Sequence, residues 1–596
     1  MCGIFAYIGK EDDGPLRTLK GLKELEYRGY DSWGIALQGE ESLEVRKSVG
    51  KISGVPESDF QDVKSALSIG HSRWATHGGV SIRNAHPHLS HDGKISVVHN
   101  GIIENHQELK LFLVKVYEVP FEELFVSETD TEVIPHLISY FMTQTGGHFE
   151  DAVRECAKRL EGRFAFVALS QEDEYLMAVR DGSPLVIGEE EHGYSIASDV
   201  PAFLDRTNRV CYLEDRHSAR ISRSTLLVRN IDTGKKKDQE FVTVEWDKSS
   251  ASKEGYPHFM LKEIMEQSES LDRAIRQDER ELNDVSQLLK KHTAYFLGCG
   301  TAAKVALVGQ YFLAEISNTS VQSFIASEDM LYRGVFDKKT VLLAVSQSGE
   351  TADTLETLET AKRCGAKIVS LLNVVGSSMY RISDRTLMLN SGPEKAVAST
   401  KAATAQIAIL LLLAHAVSGK LGEGKHLLRG VVRQVKHWLS GDTAIDIGRI
   451  AKRIMHENDI YIIGRGANFP IALESAIKIQ EVSYIHAEGF AGGELKHGPI
   501  ALLRAGTPCI AFIANDQCKK DMESNISEIK SRGAFVIGIS PENHKMFDEW
   551  IPVPDVGCAS PIVNIIPVQL LAYHLAILRG NDPDMPRNLA KSVTVK

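Results

Sequence analysis

VLLAVSQSGETAD, residues 341–353, is the stretch whose reading decides the fold. Val341 to Val345 is a short unbroken apolar run, the pattern of a strand covered on both faces. It passes directly into a small polar turn, Ser346-Gln347-Ser348-Gly349, and a helical pattern follows. Strand, tight polar turn and helix in that order belong to a parallel doubly wound sheet. Working outward, the same texture occurs twice. Tyr295 to Gly298 with a helix from about Ala303 resembles Tyr461 to Gly464 with a helix from about Pro470. Val341 to Val345 followed by Lys367 to Leu372 resembles Cys509 to Ala514 followed by Phe535 to Ile539. A spacing of roughly 165 residues relates the pairs, so the sequence predicts two tandem copies of one α/β fold.

The same stretch carries chemistry. The hydroxyls of Ser346, Ser348 and Thr351 and several backbone N–H groups converge at a helix N-terminus, where the helix dipole favours an anion. An ordinary Ser-rich cap is the bland alternative. No G-x-x-x-x-G-K-[ST] motif is present, so a small monophosphate fits better than a nucleoside triphosphate. In the second copy Glu474, Lys478 and Glu481 fall at i, i+4 and i+7 on one helix stripe, which could be a solvated ion-pair row. Ile471, Leu473, Ala476, Ile477, Ile479 and Val482 make that helix apolar on most sides, and charges on a buried helix need partners or a task. Downstream, Gly493-Glu-Leu-Lys-His-Gly-Pro499 sets His497 in a glycine-bounded loop.

The first part of the chain reads differently. Short β-type runs at Gly3 to Ile8, Ile95 to His99, Arg163 to Leu169, Tyr175 to Val179 and Thr225 to Val228 alternate with helical patterns at Thr131 to Met142 and Asp151 to Leu160. This predicts an α+β unit with mostly antiparallel sheet. Cys2 follows the initiator Met, and removal of Met1 would give one residue both a thiol and an α-amine of suitable basicity. A lone Cys2 reads equally well as a small residue opening a strand. LEYRGYD (25–31), GHSRWATHG (70–78) and HNGIIEN (99–105) favour the nucleophile, because an Arg suits a carboxylate and an Asn side chain beside a Gly N–H suits an oxyanion.

The 596 residues exceed one hydrophobic core and predict three or four units. Apolar content of 43% and charged content of 25% are those of a globular chain. A net charge of -11 disfavours nucleic acid as a partner. The start has no basic leader, and the longest greasy run, Ala405 to Val417, is too short to span a bilayer. No C-x-x-C occurs among eight cysteines, so we expect a reduced, cytoplasmic chain that does not engage a membrane. His71, His77, His86, His88, His91, His99 and His106 lack the partners of a metal site.

Taken with its motifs, the N-terminal part resembles the class II glutamine amidotransferase domain of the N-terminal nucleophile hydrolase group, an αββα sandwich, over roughly residues 2 to 230. The resemblance implies that Cys2 attacks the glutamine amide. It implies that Arg73 and Asp130 hold the α-carboxylate and α-amine, and that Asn100 and Gly101 stabilise the oxyanion. Trp74 would gate the site, Arg28 would support it, and Thr76, His77 and Gly78 would complete the glutamine site. SQSGETADT, VASTKA (397–402), ALESAIKIQE, ELKHGP and PRNLAKSVTV are similar to the sugar isomerase (SIS) domains of the glutamine–fructose-6-phosphate aminotransferase (isomerizing) family. Together the likenesses span essentially the whole chain.

That family implies conversion of fructose 6-phosphate and glutamine to glucosamine 6-phosphate and glutamate, the first step of hexosamine synthesis, without metal or organic cofactor. Lys591 would form a Schiff base with the ketose, His497 would help open the ring, and Glu481 would move a proton between C1 and C2 with Lys478 in support. Thr301, Ser346, Gln347, Ser348, Thr351, Val397 and Ser399 would bind the sugar phosphate. Ammonia would pass through an internal channel, and a homodimer or higher homo-oligomer is implied. The expected division is residues 2–235 for the amidotransferase domain, 236–255 for a linker, 256–425 and 426–575 for the two SIS domains, and 576–596 for a tail closing the sugar site. Ala302 departs from the Ser common in bacterial relatives, which removes a phosphate hydroxyl worth about 1 kcal/mol. Lys596 replaces the usual terminal Glu, and the linker lacks the insertion of many eukaryotic relatives. Alternatives are an amidotransferase acting on another phosphosugar and a sugar-phosphate sensor without catalysis.

Overall fold

The computed structural model describes residues 2–75, 77–244, 252–441 and 443–593; Thr76, Lys596 and residues 245–251 of the expected linker lie outside them. The chain forms two compact units, Met1–Ala251 with Ala590–Lys596, and Ser252–Leu589.

In the first unit, alternating apolar strands build two sheets, and each described strand pair in them is antiparallel. One sheet centres on Gly3–Gly9, flanked by Gly193–Ala197 and Leu67–Arg73, with Ser32–Gln38 beyond the latter. The other centres on Gly162–Ser170, between Ile95–Ile103 and Leu176–Asp181. Ile4, Ala6, Ile69, Val98, Val167 and Ala178 pack between the two sheets. The outer face of the first is covered by the helix Gly14–Glu24 through Leu19 and Leu22. Helices Val133–Gln144 and Phe149–Arg159 cover the second through Ile134, Ile138 and Val153. The result is the expected αββα sandwich.

The second unit holds two five-stranded sheets whose strand pairs are all parallel. The first runs Gln322–Ile325, Thr293–Gly298, Thr340–Val345, Lys367–Leu372, Arg385–Met388. The second runs His486–Ala491, Asp459–Gly464, Pro508–Phe512, Phe535–Ser540, Glu549–Pro552. Both have the second strand in sequence on one side of the first and the third on the other, so each has a switch point between its first and third strands. The helix Lys401–Val417 is buried along its entire length, which explains its unbroken run of Ala, Ile and Leu. The helix Leu421–Leu439 spans residue 425, where the sequence reading placed the join between the two copies.

The reading of Ala405 to Val417 as the longest apolar stretch is corrected by Gly557–Leu578, which is long and apolar enough to cross a membrane by length and composition. Asn564, Pro567 and Gln569 interrupt its apolar run in sequence. Most of it is buried inside the protein, packed on the helix Asn468–Ser483, as a core helix would be.

Candidate functional site

Cys2 stands immediately before the strand Gly3–Gly9, whose neighbour Leu67–Arg73 pairs Ser72 with Gly3. That register sets the thiol beside the chain leaving Arg73. Trp74 N–H donates to Cys2 Sγ at 3.3 Å, and Sγ lies 3.4 Å from the Trp74 carbonyl. From the facing sheet, Asn100 Nδ2 donates to the Cys2 carbonyl at 3.0 Å. Burial pushes the Cys2 thiol up, while the Trp74 N–H and the cations of Arg73 and Arg28 pull it down. The net direction is upward, so the thiol is protonated at neutral pH and attack requires a base.

Arg28 Nε donates to the Cys2 carbonyl at 3.3 Å, and its other end is fixed by Asp199 at 2.9 Å, which also accepts from Tyr27 at 2.6 Å. Arg73 is buried and donates to the carbonyls of His77, Gly78 and Gly79, thereby shaping the loop after Trp74. Asp31 fixes the start of that loop by accepting from Ala75 N–H at 2.8 Å. Asp130 accepts from Ile103 N–H at 2.7 Å, which ties it to the strand carrying Asn100 and Gly101. Gly101 has φ +114°, and a Cβ there would lie 2.0 Å from the Arg163 carbonyl, so the position requires glycine. The structure therefore gathers Cys2, Arg73, Trp74, His77, Gly78, Asn100, Gly101 and Asp130 in one unit.

In the second unit, Ser346 to Thr351 lie at the carboxyl end of Thr340–Val345, beside the turn Gly298 to Thr301 that follows the neighbouring strand. This is the switch point of the first sheet, where an open α/β sheet binds ligands. The turn is held by its own atoms: Gly349 N–H donates to Ser346 Oγ at 3.0 Å, Asn373 N–H to the Gln347 carbonyl at 3.1 Å, and Glu350 N–H to Ser348 Oγ at 3.2 Å. Thr351 is the cap residue of Ala352–Arg363, whose free N–H groups and dipole face the loop. The loop with Val397 and Ser399 is pinned from beneath. Glu394 Oε1 accepts from Thr400 and Ala402 N–H, each at 3.0 Å, Glu394 Oε2 lies 3.2 Å from Ser399 Oγ, and Val397 N–H donates to the Asp584 carbonyl. The sequence reading did not single out Glu394 or Asp584.

Thr301 Oγ donates to Glu474 Oε1 at 2.9 Å, which links the first copy to the charged stripe of the second. Lys478 Nζ lies 2.6 Å from Glu481 and 3.4 Å from Glu474 on the helix Asn468–Ser483. Lys478 and Glu474 are fully buried, and Glu481 retains 24% of its side chain exposed. Burial raises the Glu474 carboxyl to about 7, with Lys478 opposing and Glu481 adding to the rise. The two carboxylates hold Lys478 well above the ordinary amine range despite its burial, so it remains a cation. His497 is exposed at the end of the short 3-10 turn Leu495–His497. Lys591 belongs to the terminal segment that groups with the first unit rather than with the unit carrying Glu481 and His497.

A family model described as "Glutamine amidotransferase domain" matches residues 71–205, and one described as "SIS domain" matches 287–416 and 453–579. The chain is 43% identical to glutamine–fructose-6-phosphate aminotransferase [isomerizing] of Pyrococcus horikoshii, over 100% of both chains. It is 43% identical to the enzyme of that name from Thermococcus kodakarensis and 40% to that from Thermus thermophilus, again over 100% of each chain. Among solved structures, the C-terminal domain of glucosamine-fructose-6-phosphate aminotransferase from Francisella tularensis is 33% identical with TM-score 0.51, covering 56% of this chain and 99% of that one.

Proposed function

The chain belongs to the glutamine–fructose-6-phosphate aminotransferase (isomerizing) family, and on that premise we propose that it runs two reactions in series, glutamine hydrolysis at Cys2 and amination of the sugar phosphate. Its overall reaction takes glutamine and fructose 6-phosphate to glutamate and glucosamine 6-phosphate. The observation that carries the division of labour is the pairing of an aimed amide donor at Cys2 in one unit with a buried Glu474–Lys478–Glu481 row near a phosphate cradle in the other.

With Met1 removed, the α-amine of residue 2 takes the thiol proton as Sγ attacks the glutamine side-chain carbonyl. Asn100 Nδ2 and Gly101 N–H stabilise the oxygen as it becomes negative, an effect worth about 10²- to 10³-fold in rate per donor. The amine then passes its proton to the departing nitrogen, ammonia leaves, and water cleaves the thioester to glutamate. Arg73 and Asp130 hold the two ends of the amino acid, and Trp74, Thr76, His77 and Gly78 frame it.

Ammonia then moves through an internal channel to the sugar. Ser346, Gln347, Ser348 and Thr351 hold the phosphate, with Thr301, Val397 and Ser399 at the sugar. His497 assists ring opening. Lys591 condenses with the C2 carbonyl with loss of water, and ammonia displaces the lysine nitrogen at C2. Glu481 removes a C1 proton and returns a proton to C2 while the C1 hydroxyl proton passes to the imine nitrogen, which converts the ketimine to the 2-amino aldose. Lys478, 2.6 Å from Glu481, supports it in this task.

Purified Cys2→Ala protein tests the division. Glutamine hydrolysis should vanish while isomerisation of fructose 6-phosphate stays within about threefold of wild type. Loss of both activities in a folded protein would refute it.

A further inference from the structure

Asn100 can supply an oxyanion donor only if its amide is turned the right way, and nothing in the side chain itself selects between the two orientations. His71 supplies one of the two contacts that select it, the Cys2 carbonyl being the other. This residue lies fully buried on the strand Leu67–Arg73, two positions before Arg73, and its ring reaches across to the strand Ile95–Ile103 of the facing sheet. His71 Nε2 is 3.0 Å from the His99 backbone carbonyl and 3.0 Å from Asn100 Oδ1. A backbone carbonyl can only accept, so Nε2 carries the hydrogen whichever way the Asn100 amide is drawn. The Asn100 atom facing that N–H must then be its oxygen, and Nδ2 must face Cys2, where it meets the Cys2 carbonyl at 3.0 Å.

The other ring nitrogen makes the tautomer stable. Among the described residues His71 Nδ1 is buried without a hydrogen-bond partner, which suits a bare lone pair and not an N–H. Burial holds the ring down to about 3, so it remains neutral wherever the enzyme works. His86 stacks on His71 with centroids 4.1 Å apart and planes 17° apart, which fixes the ring plane. His86 in turn accepts from His99 N–H at 3.4 Å, and His99 Nδ1 lies 2.8 Å from Thr131 Oγ, beside Asp130.

We propose that His71, as its neutral Nε2–H tautomer, is the positioning residue that fixes the flip of the Asn100 amide and thereby aims the oxyanion donor at the carbonyl oxygen of the amide under attack. This rests on the reading of Asn100 as that donor. Reversing the amide would set Nδ2 against the His71 N–H and Oδ1 against the Cys2 carbonyl, two like-with-like contacts.

The test measures glutamine hydrolysis by the full-length protein carrying Asn100→Ala, His71→Ala, both together, His71→Gln and His71→Asn. Asn100→Ala should lower kcat about 10²- to 10³-fold. His71→Ala should lower kcat about 10- to 100-fold with KM within about threefold, and should add nothing in the Asn100→Ala background. Gln places an N–H near the position of Nε2, so His71→Gln should retain activity within about fivefold, whereas Asn, with its N–H at the Nδ1 position, should fall to the level of Ala. Unchanged hydrolysis in Asn100→Ala would remove the oxyanion reading and the proposal with it. A strong Asn100→Ala loss alongside full activity in His71→Ala, independent losses in the double variant, or equal losses in His71→Gln and His71→Asn would overturn the proposal alone. Should His71→Ala fold poorly, the Gln and Asn pair decides.

Discussion

Glu474→Gln removes one negative charge from the interior of the helix Asn468–Ser483, and the structure sets both the sign and the size of the effect. The Glu474 side chain is 2% exposed. Its Oε1 accepts from Thr301 and faces Lys478, while Oε2 is buried without a partner among the described residues. Burial raises this carboxyl from its ordinary 4.5 to about 7. A carboxyl raised on folding binds its proton more tightly in the folded chain than in the unfolded one. Stability is therefore full below about pH 4.5 and declines as pH rises through about 7, by roughly 3 kcal/mol in all. Gln reproduces the protonated acid, since its oxygen still accepts from Thr301 and Lys478 and its N–H replaces the O–H at the partnerless position. The variant should be more stable by roughly 3 kcal/mol at pH 8 and by under about 1 kcal/mol at pH 5. For a unit of this size that is about 4 °C in Tm at pH 8 and about 1 °C at pH 5. Calorimetry of the full chain at both pH values, with the melting unit identified by proteolysis across the transition, gives the two shifts. Equal shifts at the two pH values, or a loss of stability at pH 8, would refute the reasoning.

Other positions give sharper single outcomes. Gly101→Ala forces a Cβ to within 2.0 Å of the Arg163 carbonyl at φ +114°, and glutamine hydrolysis should fall at least about 100-fold with sugar isomerisation unchanged. Gly349→Ala, at φ +69° with Ser377 Oγ 2.2 Å from the new Cβ, should distort the phosphate turn and raise the KM for fructose 6-phosphate about 10-fold or more in steady-state assays. Asp199→Ala removes the carboxylate 2.9 Å from the buried Arg28 and should destabilise the first unit by about 2 to 4 kcal/mol in denaturant titrations, together with slower glutamine hydrolysis.

Much of this architecture was legible in the sequence for a physical reason. Central parallel strands such as Thr340–Val345 and Phe535–Ser540 are covered on both faces, so they print as unbroken apolar runs beside small polar turns. The strands Gln322–Ile325 and His486–Ala491, and the edges Arg385–Met388 and Glu549–Pro552, escaped the reading because exposed edges tolerate polar and charged residues. The helix Ser560–Leu578 was hidden by Pro567 and by Asn564, which is buried only because it donates to Asn468 on the neighbouring helix. Local motifs such as Ser346 to Thr351 and the Glu474–Lys478–Glu481 stripe need only spacing to be seen. His71 and Glu394 act across the fold, one onto a strand of the facing sheet and the other beneath a loop, and no spacing in one dimension marks such pairs. Among the seven histidines that the sequence reading weighs and rejects as metal ligands, His71, His86 and His99 form a buried stack.

In the proposed reaction, nitrogen released at Cys2 must reach the sugar. The direct measurement supplies the purified protein with fructose 6-phosphate and glutamine labelled with ¹⁵N at the side-chain amide, in excess unlabelled ammonium, and weighs the products. The account predicts one glutamate for each glucosamine 6-phosphate, with the label retained in the amino sugar. Glutamate formed without amino sugar, or amino sugar carrying only unlabelled nitrogen, would contradict it.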